Sequence, residues 1–292
     1  MINLNSKLKN NNYTYIIAEI GLNHNGDVDI AKKLIKIAKE SGADAVKLQK
    51  RDVSNLATNE ILDAEDLRFP EFGDTYRKVR EHLEFNKKQY LEIKKFSRSL
   101  DIDFLCTAFD INSLNFLEDI KIDLLKVASH SVTNIPLIEE ITKRNINAIV
   151  STGMSELEDI DYVYDFFQNS NSDLYLLHCI SSYPTPDNEI NLNIIDTLKE
   201  KYKDTIIGYS GHEMGFFTTY MAVAKGARIV ERHITLDKNM IGFDHTLSLE
   251  PDELKEMILG VRRIEQILGT KEKKVTEVEL FKKNQYNVSM IA

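Results

Sequence analysis

Ionisable and hydroxyl side chains stand near the ends of successive short apolar runs in this sequence. The run AEIG (18–21) surrounds Glu19 with small and apolar residues, and ADAVKLQ (43–49) carries Lys47 and Gln49 two positions apart. A stable core does not require such groups, because burying a carboxylate or an ammonium is costly unless it is paired. The pattern continues at Thr107 and Phe109, Lys126 and Ser129, Ser151, His178, Ser210 and His212, and Glu231 and His233.

This set of residue types suits the binding of a small anion. Lys47 and Lys126 supply two cations. Hydroxyl donors accompany them at Thr107, Ser129, Ser151 and Ser210. Together they fit a ligand that carries both a phosphate and a carboxylate. The glycines of GYSGHEMG (208–215) would let backbone N–H groups approach such an anion, although a plain glycine-rich turn explains them as well.

Two histidines, His212 and His233, lie at the ends of neighbouring apolar runs, and Asp244 follows in IGFDHT. Imidazoles with nearby carboxylates suit a divalent transition metal, so a metal site is one interpretation. The alternative is one core histidine and one general base. His24 and His245 are candidates for contact with a substrate.

Eight short apolar runs alternate with amphipathic segments of helical periodicity, which predicts parallel βαβ units. The strands are predicted over 15–19, 43–49, 103–109, 123–129, 147–152, 174–179, 205–210 and 228–233. The helices are predicted over 29–41, 86–100, 112–119, 135–144, 155–169, 190–201, 215–225 and 251–267. Eight pairs favour an α/β fold of the TIM (β/α)₈ type in residues 1–270 over an open doubly wound sheet. The polar strand ends then meet at the C-terminal mouth, where barrel active sites lie.

Local signals add detail to this prediction. Asp27 is expected to cap the first long helix and Gly42 to end it, and Ser155 is expected to cap the helix over 155–169. The aromatic-containing segment 50–85 is long for a connection inside a compact domain, which indicates a lid.

The composition fits a cytoplasmic protein and excludes several function classes. With 292 residues and a net charge of −9, the chain lacks the basic character of a generic nucleic-acid binder. It contains no apolar run of the length that spans a membrane. Cys106 and Cys179 lie in apolar runs, which predicts reduced, buried thiols.

In combination, these motifs resemble the sialic acid synthase family, the phosphoenolpyruvate-condensing NeuB-type enzymes. The matching stretches, in family order, are AEIGLNHNGD, ADAVKLQ, TAFD, KVASH, STGMS, LLHCISSYPTP, IIGYSGHE and ERHITLD. The resemblance implies a transferase that joins phosphoenolpyruvate to an N-acetylmannosamine-like amino sugar aldehyde. The products would be a nine-carbon 2-keto sugar acid, for surface polysaccharide, and phosphate.

The resemblance also implies roles for individual residues. Catalytic roles fall on Glu19, Lys47, Lys126 and Asp244. Substrate-binding roles fall on Gln49, Thr107, Phe109, Ser129, Ser151, Ser181, Tyr183 and Ser210. His212 and His233 would hold the metal, with Mn²⁺ expected and Mg²⁺ or Co²⁺ as alternatives, and the enzyme would be a homodimer.

The sequence departs from the family pattern in several places. Ser131 stands where the family carries a glutamate that contacts the sugar, Ser181 replaces a frequent asparagine, and Gly211 replaces a common aspartate. Residues 271–292 are expected to be a linker stub without the antifreeze-like domain that caps the site in relatives. A legionaminate- or pseudaminate-type synthase, an aldolase or lyase, and a non-catalytic ligand-binding barrel therefore stay open as alternatives.

Overall fold

Eight parallel strands form a closed barrel in sequence order in this computed structural model, which describes residues 2–8, 12–122 and 124–286. The strands are β1 (Tyr15–Gly21), β2 (Ala45–Lys50), β3 (Asp103–Ala108), β4 (Leu125–Val127), β5 (Ala148–Ser151), β6 (Leu174–Cys179), β7 (Ile206–Gly211) and β8 (Ile229–His233). Each overlaps its predicted run, although Asp123 of the fourth run lies outside the described residues. The predicted (β/α)₈ fold is confirmed.

A helix follows every strand, and four further helices complete the described part of the chain. In chain order they are α1 (Leu4–Leu8), α2 (Val28–Ser41), α3 (Asn59–Leu62), α4 (Tyr76–Leu83), α5 (Lys87–Ser99), α6 (Ile111–Asp119), α7 (Ile135–Lys143), α8 (Leu157–Gln168), α9 (Ile194–Lys201), α10 (Phe217–Ala224), α11 (Pro251–Leu268) and α12 (Glu277–Tyr286). Their apolar faces pack on the outward-facing strand residues to form the main core.

Helix caps follow the sequence signals at α2 but not at α8. The Asp27 carboxylate accepts hydrogen bonds from the first-turn N–H groups of α2, and Gly42 ends that helix with a left-handed φ of 94°. The expected Ser155 cap is wrong. Glu156 caps α8 through a box with Asp159, whose carboxylate accepts the Glu156 N–H at 2.9 Å, while the Ser155 hydroxyl donates to the Gly153 carbonyl at 3.2 Å.

The barrel interior is divided into an apolar floor and a polar upper layer. The floor consists of Tyr15, Ile17, Ala45, Leu105, Leu124, Ile149, Tyr175, Leu177 and Ile229, with Leu4 and Leu8 of α1 packed against it. Because alternate residues of a strand face the same side, the next inward positions towards the mouth are the polar ones. Register then sets neighbours across strands: Glu19 pairs with Lys47 of β2 and with His233 of β8.

Strand β6 breaks the expected pattern by one residue. Tyr175 and Leu177 face inwards, so His178 faces the helices, where its Nε2 lies 2.7 Å from the Ile190 carbonyl. The prediction that His178 is the inward polar end of this strand is therefore wrong. The residue that β6 presents to the mouth is Cys179.

The segment 50–85 is not a single loop. It contains a 3₁₀ turn (Val53–Asn55) and the short helices α3 and α4. Phe69 packs on Phe243 of the β8–α11 connection with ring centroids 4.5 Å apart, and Phe72 stacks on His82 at 4.8 Å. The segment therefore forms part of the rim of the mouth.

At the other end of the chain, α11 ends at Leu268, and α12 follows with all of its residues exposed. The domain boundary at residue 270 stays a prediction, and residues 287–292 of the expected linker lie outside the described residues. Within the described ranges, no helix is both long enough and apolar enough to cross a membrane.

Candidate active site

The C-terminal ends of the strands enclose a cavity of about 350 Å³. Every residue to which the family resemblance assigned a catalytic, substrate-binding or metal-ligating role lies on its wall. They are Glu19, Lys47, Gln49, Thr107, Phe109, Lys126, Ser129, Ser151, Ser181, Tyr183, Ser210, His212, His233 and Asp244. The wall also includes residues without a predicted role, namely Leu22, Arg51, Arg80, Ala128, His130, Met154, Cys179, Glu231 and Phe243.

Glu19 is buried because it is paired across the β1–β2 ladder. Its Oε1 accepts from Lys47 Nζ at 2.9 Å and from Gln49 Nε2 at 2.7 Å. Its Oε2 is buried and has no hydrogen-bond partner among the described residues. Glu19 therefore presents one oxygen to its partners and keeps one lone-pair-bearing oxygen free.

Lys47 is held by several partners at once. In addition to Glu19, its Nζ donates to Thr107 Oγ1 at 2.9 Å and lies 3.8 Å from Glu231 Oε1. Burial disfavours the charged amine, but the two carboxylates outweigh that effect and raise the pKa of Lys47. This lysine is cationic and fully engaged before any ligand arrives.

Lys126 differs from Lys47 in having little compensation. Its Nζ donates to the Val127 carbonyl at 3.0 Å, and its side chain is within 4 Å of no carboxylate in the described part of the chain. Burial lowers the pKa of Lys126, and the Lys47 charge lowers it further, against the attraction of Glu231. The Ser151 hydroxyl on the next strand is also buried without a described partner. A cation and a donor are therefore available for an anion.

Glu231 is a site residue that the sequence analysis left without a role. Its Oε1 accepts from Ser210 Oγ at 3.3 Å, and its Oε2 has no partner among the described residues. Burial favours the neutral carboxyl, but the charges of Lys126 and Lys47 outweigh it and lower the pKa of Glu231. The signal was present in the sequence, since Glu231 stands two positions before His233 and so faces the same side of β8.

His212 and His233 face each other with ring centroids 5.5 Å apart. His212 Nδ1 lies 2.8 Å from the Ile180 carbonyl, which can only accept, so the proton is on Nδ1 and Nε2 keeps its lone pair. His233 Nδ1 is buried without a described hydrogen-bond partner and lies 3.7 Å from Asp244 Oδ2. Burial lowers the pKa of both histidines, which favours the neutral imidazole that ligates metals.

These two imidazoles fit an open metal site rather than a closed one. Among residues 2–8, 12–122 and 124–286, no group of three or more His, Cys, Asp or Glu side chains is arranged to hold a metal ion by itself. Each ring has a nitrogen without a hydrogen-bond partner in the described part of the chain, and with the nearby Asp244 carboxylate the two rings suit a site whose other positions are taken by water and substrate oxygens.

Two arginines of the wall were not predicted. Arg51 follows β2, stacks on Phe109 with its guanidinium carbon 3.8 Å from the ring centroid, and donates to Gln49 Oε1. Arg80 of α4 lies over Phe243 at 4.5 Å. Arg51 Nη1 and Arg80 Nε are buried without a hydrogen-bond partner in the described ranges. Burial lowers the pKa of Arg51, and the Arg80 charge adds to this, so the pair favours an anion at the mouth.

Several other residues lie off the wall. His24 is buried and stacks on Phe85 at 4.2 Å, and His245 is buried with Nδ1 2.7 Å from Thr235 Oγ1. Although both were candidates for contact with a substrate, neither lies on the cavity wall. Ser131 is buried in the 3₁₀ turn after β4, and its neighbour His130 lies on the cavity wall while Ser131 does not.

Both cysteines behave as the sequence indicated. Cys106 and Cys179 are free and buried. Burial raises the pKa of both thiols, to about 12 for Cys106, so neither is an activated nucleophile in this environment.

Comparisons with known proteins agree with this geometry. The chain is 41% identical over 248 residues to the N-acetylneuraminate-9-phosphate synthase of Drosophila melanogaster, covering 85% of this chain and 67% of that protein. It is 38% identical to the N,N'-diacetyllegionaminic acid synthase of Legionella pneumophila, covering 91% and 76% of the two chains. The crystal structure of the N-acetylneuraminic acid synthetase of Leptospira borgpetersenii, in complex with citrate, superimposes with a TM-score of 0.83 at 34% identity, covering 94% and 91%.

A family model supports the same assignment, since the model of the NeuB family matches residues 34–273. That range begins within α2 and includes every strand from β2 to β8. This chain therefore belongs to the NeuB family.

Proposed function

We propose that this chain condenses phosphoenolpyruvate with the open-chain aldehyde of an N-acetylated amino sugar, giving a nine-carbon 2-keto sugar acid and phosphate. The observation that carries the proposal is the division of one buried cavity into two halves. One half holds the poorly compensated Lys126 and the Ser151 hydroxyl, which has no partner among the described residues, as an enol phosphate with a carboxylate requires. The other half holds two neutral imidazoles beside a carboxylate.

The reaction proceeds in three steps. The C3 methylene carbon of phosphoenolpyruvate attacks the aldehyde carbon, which becomes a hydroxyl-bearing carbon after protonation. Positive charge develops at C2, and water adds there with loss of one proton. The resulting tetrahedral centre then loses phosphate through cleavage of its C2–O bond, while the C2 hydroxyl gives its proton to the leaving phosphate and becomes the 2-keto group.

Among this chain's residues, Glu19 is better suited than Asp244 to accept the proton of the water. Its Oε2 is buried and unpartnered within the described residues, while its Oε1 is fixed by Lys47 and Gln49. A base held on one oxygen and free on the other has a defined direction for proton transfer. Lys47 then neutralises Glu19 and Glu231 in the resting site, and Lys126 and the hydroxyls hold the anionic substrate.

The proposed cofactor is a divalent metal, with Mn²⁺ expected and Mg²⁺ or Co²⁺ as alternatives. When bound, it supplies Lewis-acid polarisation of the sugar aldehyde. His212 and His233 are the residues that would hold it. Their neutral form supports this assignment, as does a nitrogen on each ring that has no hydrogen-bond partner among the described residues.

The acceptor that we propose carries a phosphate at the end remote from its aldehyde. Arg51, which is buried, and Arg80, which is half-buried, form a pair of cations at the mouth. Arg51 Nη1 lies 4.0 Å from Glu84 Oε1, and no carboxylate in the described part of the chain is within hydrogen-bond distance of Arg51 Nη1 or Arg80 Nε. In a nine-carbon product, the three phosphoenolpyruvate carbons come first, so carbon 9 is the sixth carbon of the sugar. The Drosophila relative is named for a 9-phosphate product, and a phosphate at that position suits this pair.

The proposed setting is the cytoplasm, in keeping with two reduced cysteines, and the proposed assembly is a homodimer, on family resemblance alone. Its substrates are small molecules and need neither nucleic acid nor a membrane.

A sugar panel tests the function directly. Phosphate release is measured with phosphoenolpyruvate, Mn²⁺ and N-acetylmannosamine, its 6-phosphate or a 2,4-diacetamido sugar. We expect turnover with the 6-phosphate to exceed turnover with the free sugar, and Arg80→Met to reduce that preference. Preference for the 2,4-diacetamido sugar would instead support the legionaminate-type alternative. Phosphate release without any sugar, or none with every sugar, would contradict the synthase function.

A further inference from the structure

We infer that Arg232 and Glu213, which lie outside the cavity wall, are positioning residues that hold the loop carrying His212. The inference rests on the proposed use of His212 as a metal ligand. Arg232 stands on β8 between the inward-facing Glu231 and His233, so it faces away from the cavity, and it is only 1% exposed. A long cation that is this deeply buried needs hydrogen-bond acceptors in place of water.

The acceptors of its two Nη atoms all belong to the segment that follows β7, while its Nε is buried without a hydrogen-bond partner among the described residues. Arg232 Nη2 donates to the carbonyls of Glu213 at 2.8 Å and Gly215 at 2.6 Å. Its Nη1 donates to Thr219 Oγ1 of α10 at 3.0 Å and to the Glu213 carboxylate. One guanidinium thus ties β8 to the loop after β7 and to the first turn of α10.

Glu213 returns the connection to β7. Its Oε2 accepts from the Tyr209 hydroxyl at 2.7 Å, and the side chain is 1% exposed. A Cβ added at Gly211 would lie 2.6 Å from Glu213 Oε2 and 2.7 Å from the Tyr209 ring, so no side chain fits at 211 while this carboxylate is in place. The backbone on one side of His212 is therefore packed directly against the Arg232–Glu213 pair.

His212 is held from two directions. Behind it, the Arg232–Glu213 pair fixes the backbone of residues 211–215. In front, the Nδ1–H to Ile180 carbonyl bond fixes the ring and aims Nε2. Outer contacts of this kind orient a metal ligand without touching the metal, and their loss typically lowers metal affinity about 10–100-fold. In the described part of the chain, neither Lys126 nor Ser151, on the phosphoenolpyruvate side, forms a hydrogen bond with the pair.

The test follows the His212 ring itself in ¹⁵N-histidine-labelled protein. The hydrogen-bonded Nδ1–H signal is assigned by its loss in His212→Ala. It is then compared between wild type, Glu213→Gln and the double variant Glu213→Leu/Arg232→Met. The double variant removes both charges of the pair and so leaves neither buried without its partner. Arg262→Met is the matched control. It removes a guanidinium that pairs with Asp44 at 3.1 Å and Glu265 at 2.7 Å outside the cavity. Mn²⁺ and phosphoenolpyruvate affinities are measured separately on each protein.

We expect the Nδ1–H signal to weaken through solvent exchange in both pair variants and Mn²⁺ affinity to fall about 10–100-fold, with metal-free phosphoenolpyruvate affinity nearly unchanged. Arg262→Met should keep the wild-type signal and Mn²⁺ affinity.

Folded pair variants with the wild-type signal and wild-type Mn²⁺ affinity would overturn the positioning role. If wild-type protein binds Mn²⁺ no better than His212→Ala, the proposed metal site fails instead. The Nδ1–H signal then decides the positioning role by itself.

Discussion

Replacing each cavity lysine by methionine should give two different outcomes, because the two side chains have different surroundings. Lys126 donates to a single described carbonyl, and its pKa is lowered, so the folded protein already disfavours its charge. Lys47 is bonded to Glu19 and Thr107 and lies 3.8 Å from Glu231. Lys126→Met should therefore cost binding, and Lys47→Met should cost stability.

The magnitudes follow from these contacts. A hydrogen bond to a charged group contributes about 1.5–3 kcal/mol, so Lys126→Met should weaken phosphoenolpyruvate binding by about 10–150-fold. Its free energy of unfolding should change little, since methionine replaces a desolvated cation of similar length. Lys47→Met leaves Glu19 buried without its cation and removes one of the two cations near Glu231, and breaking a buried pair in this way costs about 3–5 kcal/mol of folding free energy.

Two measurements separate these outcomes. Calorimetric titration with phosphoenolpyruvate gives the affinity, and urea unfolding followed by circular dichroism gives the stability. Lys47→Met/Glu19→Gln, which also removes a charge from the carboxylate side, should recover part of the stability that Lys47→Met loses. If Lys126→Met binds phosphoenolpyruvate as tightly as wild type, or if Lys47→Met is as stable as wild type, the division of roles is wrong.

Three further predictions concern the metal, the pH dependence and the base. His233→Ala should remove Mn²⁺ binding and activity while keeping the circular dichroism spectrum, and wild-type turnover of this variant after chelation would contradict the metal assignment. Because the pKa of Lys126 lies below its ordinary value, phosphoenolpyruvate affinity should fall as the pH rises through that lowered pKa. Lys126→Arg should move the fall to higher pH, and an identical profile would exclude Lys126 as its cause. Glu19→Gln should lower kcat about 10²–10⁴-fold. If Asp244→Asn shows a loss of that size and Glu19→Gln does not, the base is Asp244.

The fold and most of the site were predictable because period-2 alternation leaves its mark in the sequence. Once Glu19 and Lys47 are placed inward, the polar residues of the other strands follow by counting, and the closed barrel brings them together. Counting also explains the failure at β6, where His178 is polar but stands one position from the inward face. In that strand, alternation from the inward-facing Tyr175 and Leu177 leads to Cys179, so the polar residue type of His178 is misleading.

Other parts of the site could not be obtained by counting. Arg80 reaches the cavity from α4, an element inside a connection, and no strand period places it there. His24 and His245 were expected near the mouth because of their residue type. In the structure His24 stacks on Phe85 and His245 contacts the Thr235 hydroxyl, and neither lies on the cavity wall. Contacts between loops depend on the tertiary path of the chain, which local periodicity does not record.

The two cavity lysines look alike in the sequence but have different surroundings in the structure. In the sequence both stand at inward positions near strand ends, and together they look like one anion-binding pair. In the structure the Glu19 and Glu231 carboxylates lie close to Lys47 and compensate it, so its positive charge stabilises the empty site. Lys126 keeps its charge at the cost of desolvation, which an incoming phosphate or carboxylate relieves. Such a cation is poorly compensated in the empty site and well compensated by a bound anion. Its charge therefore stabilises the complex more than the free protein, as a synthase of anionic substrates requires.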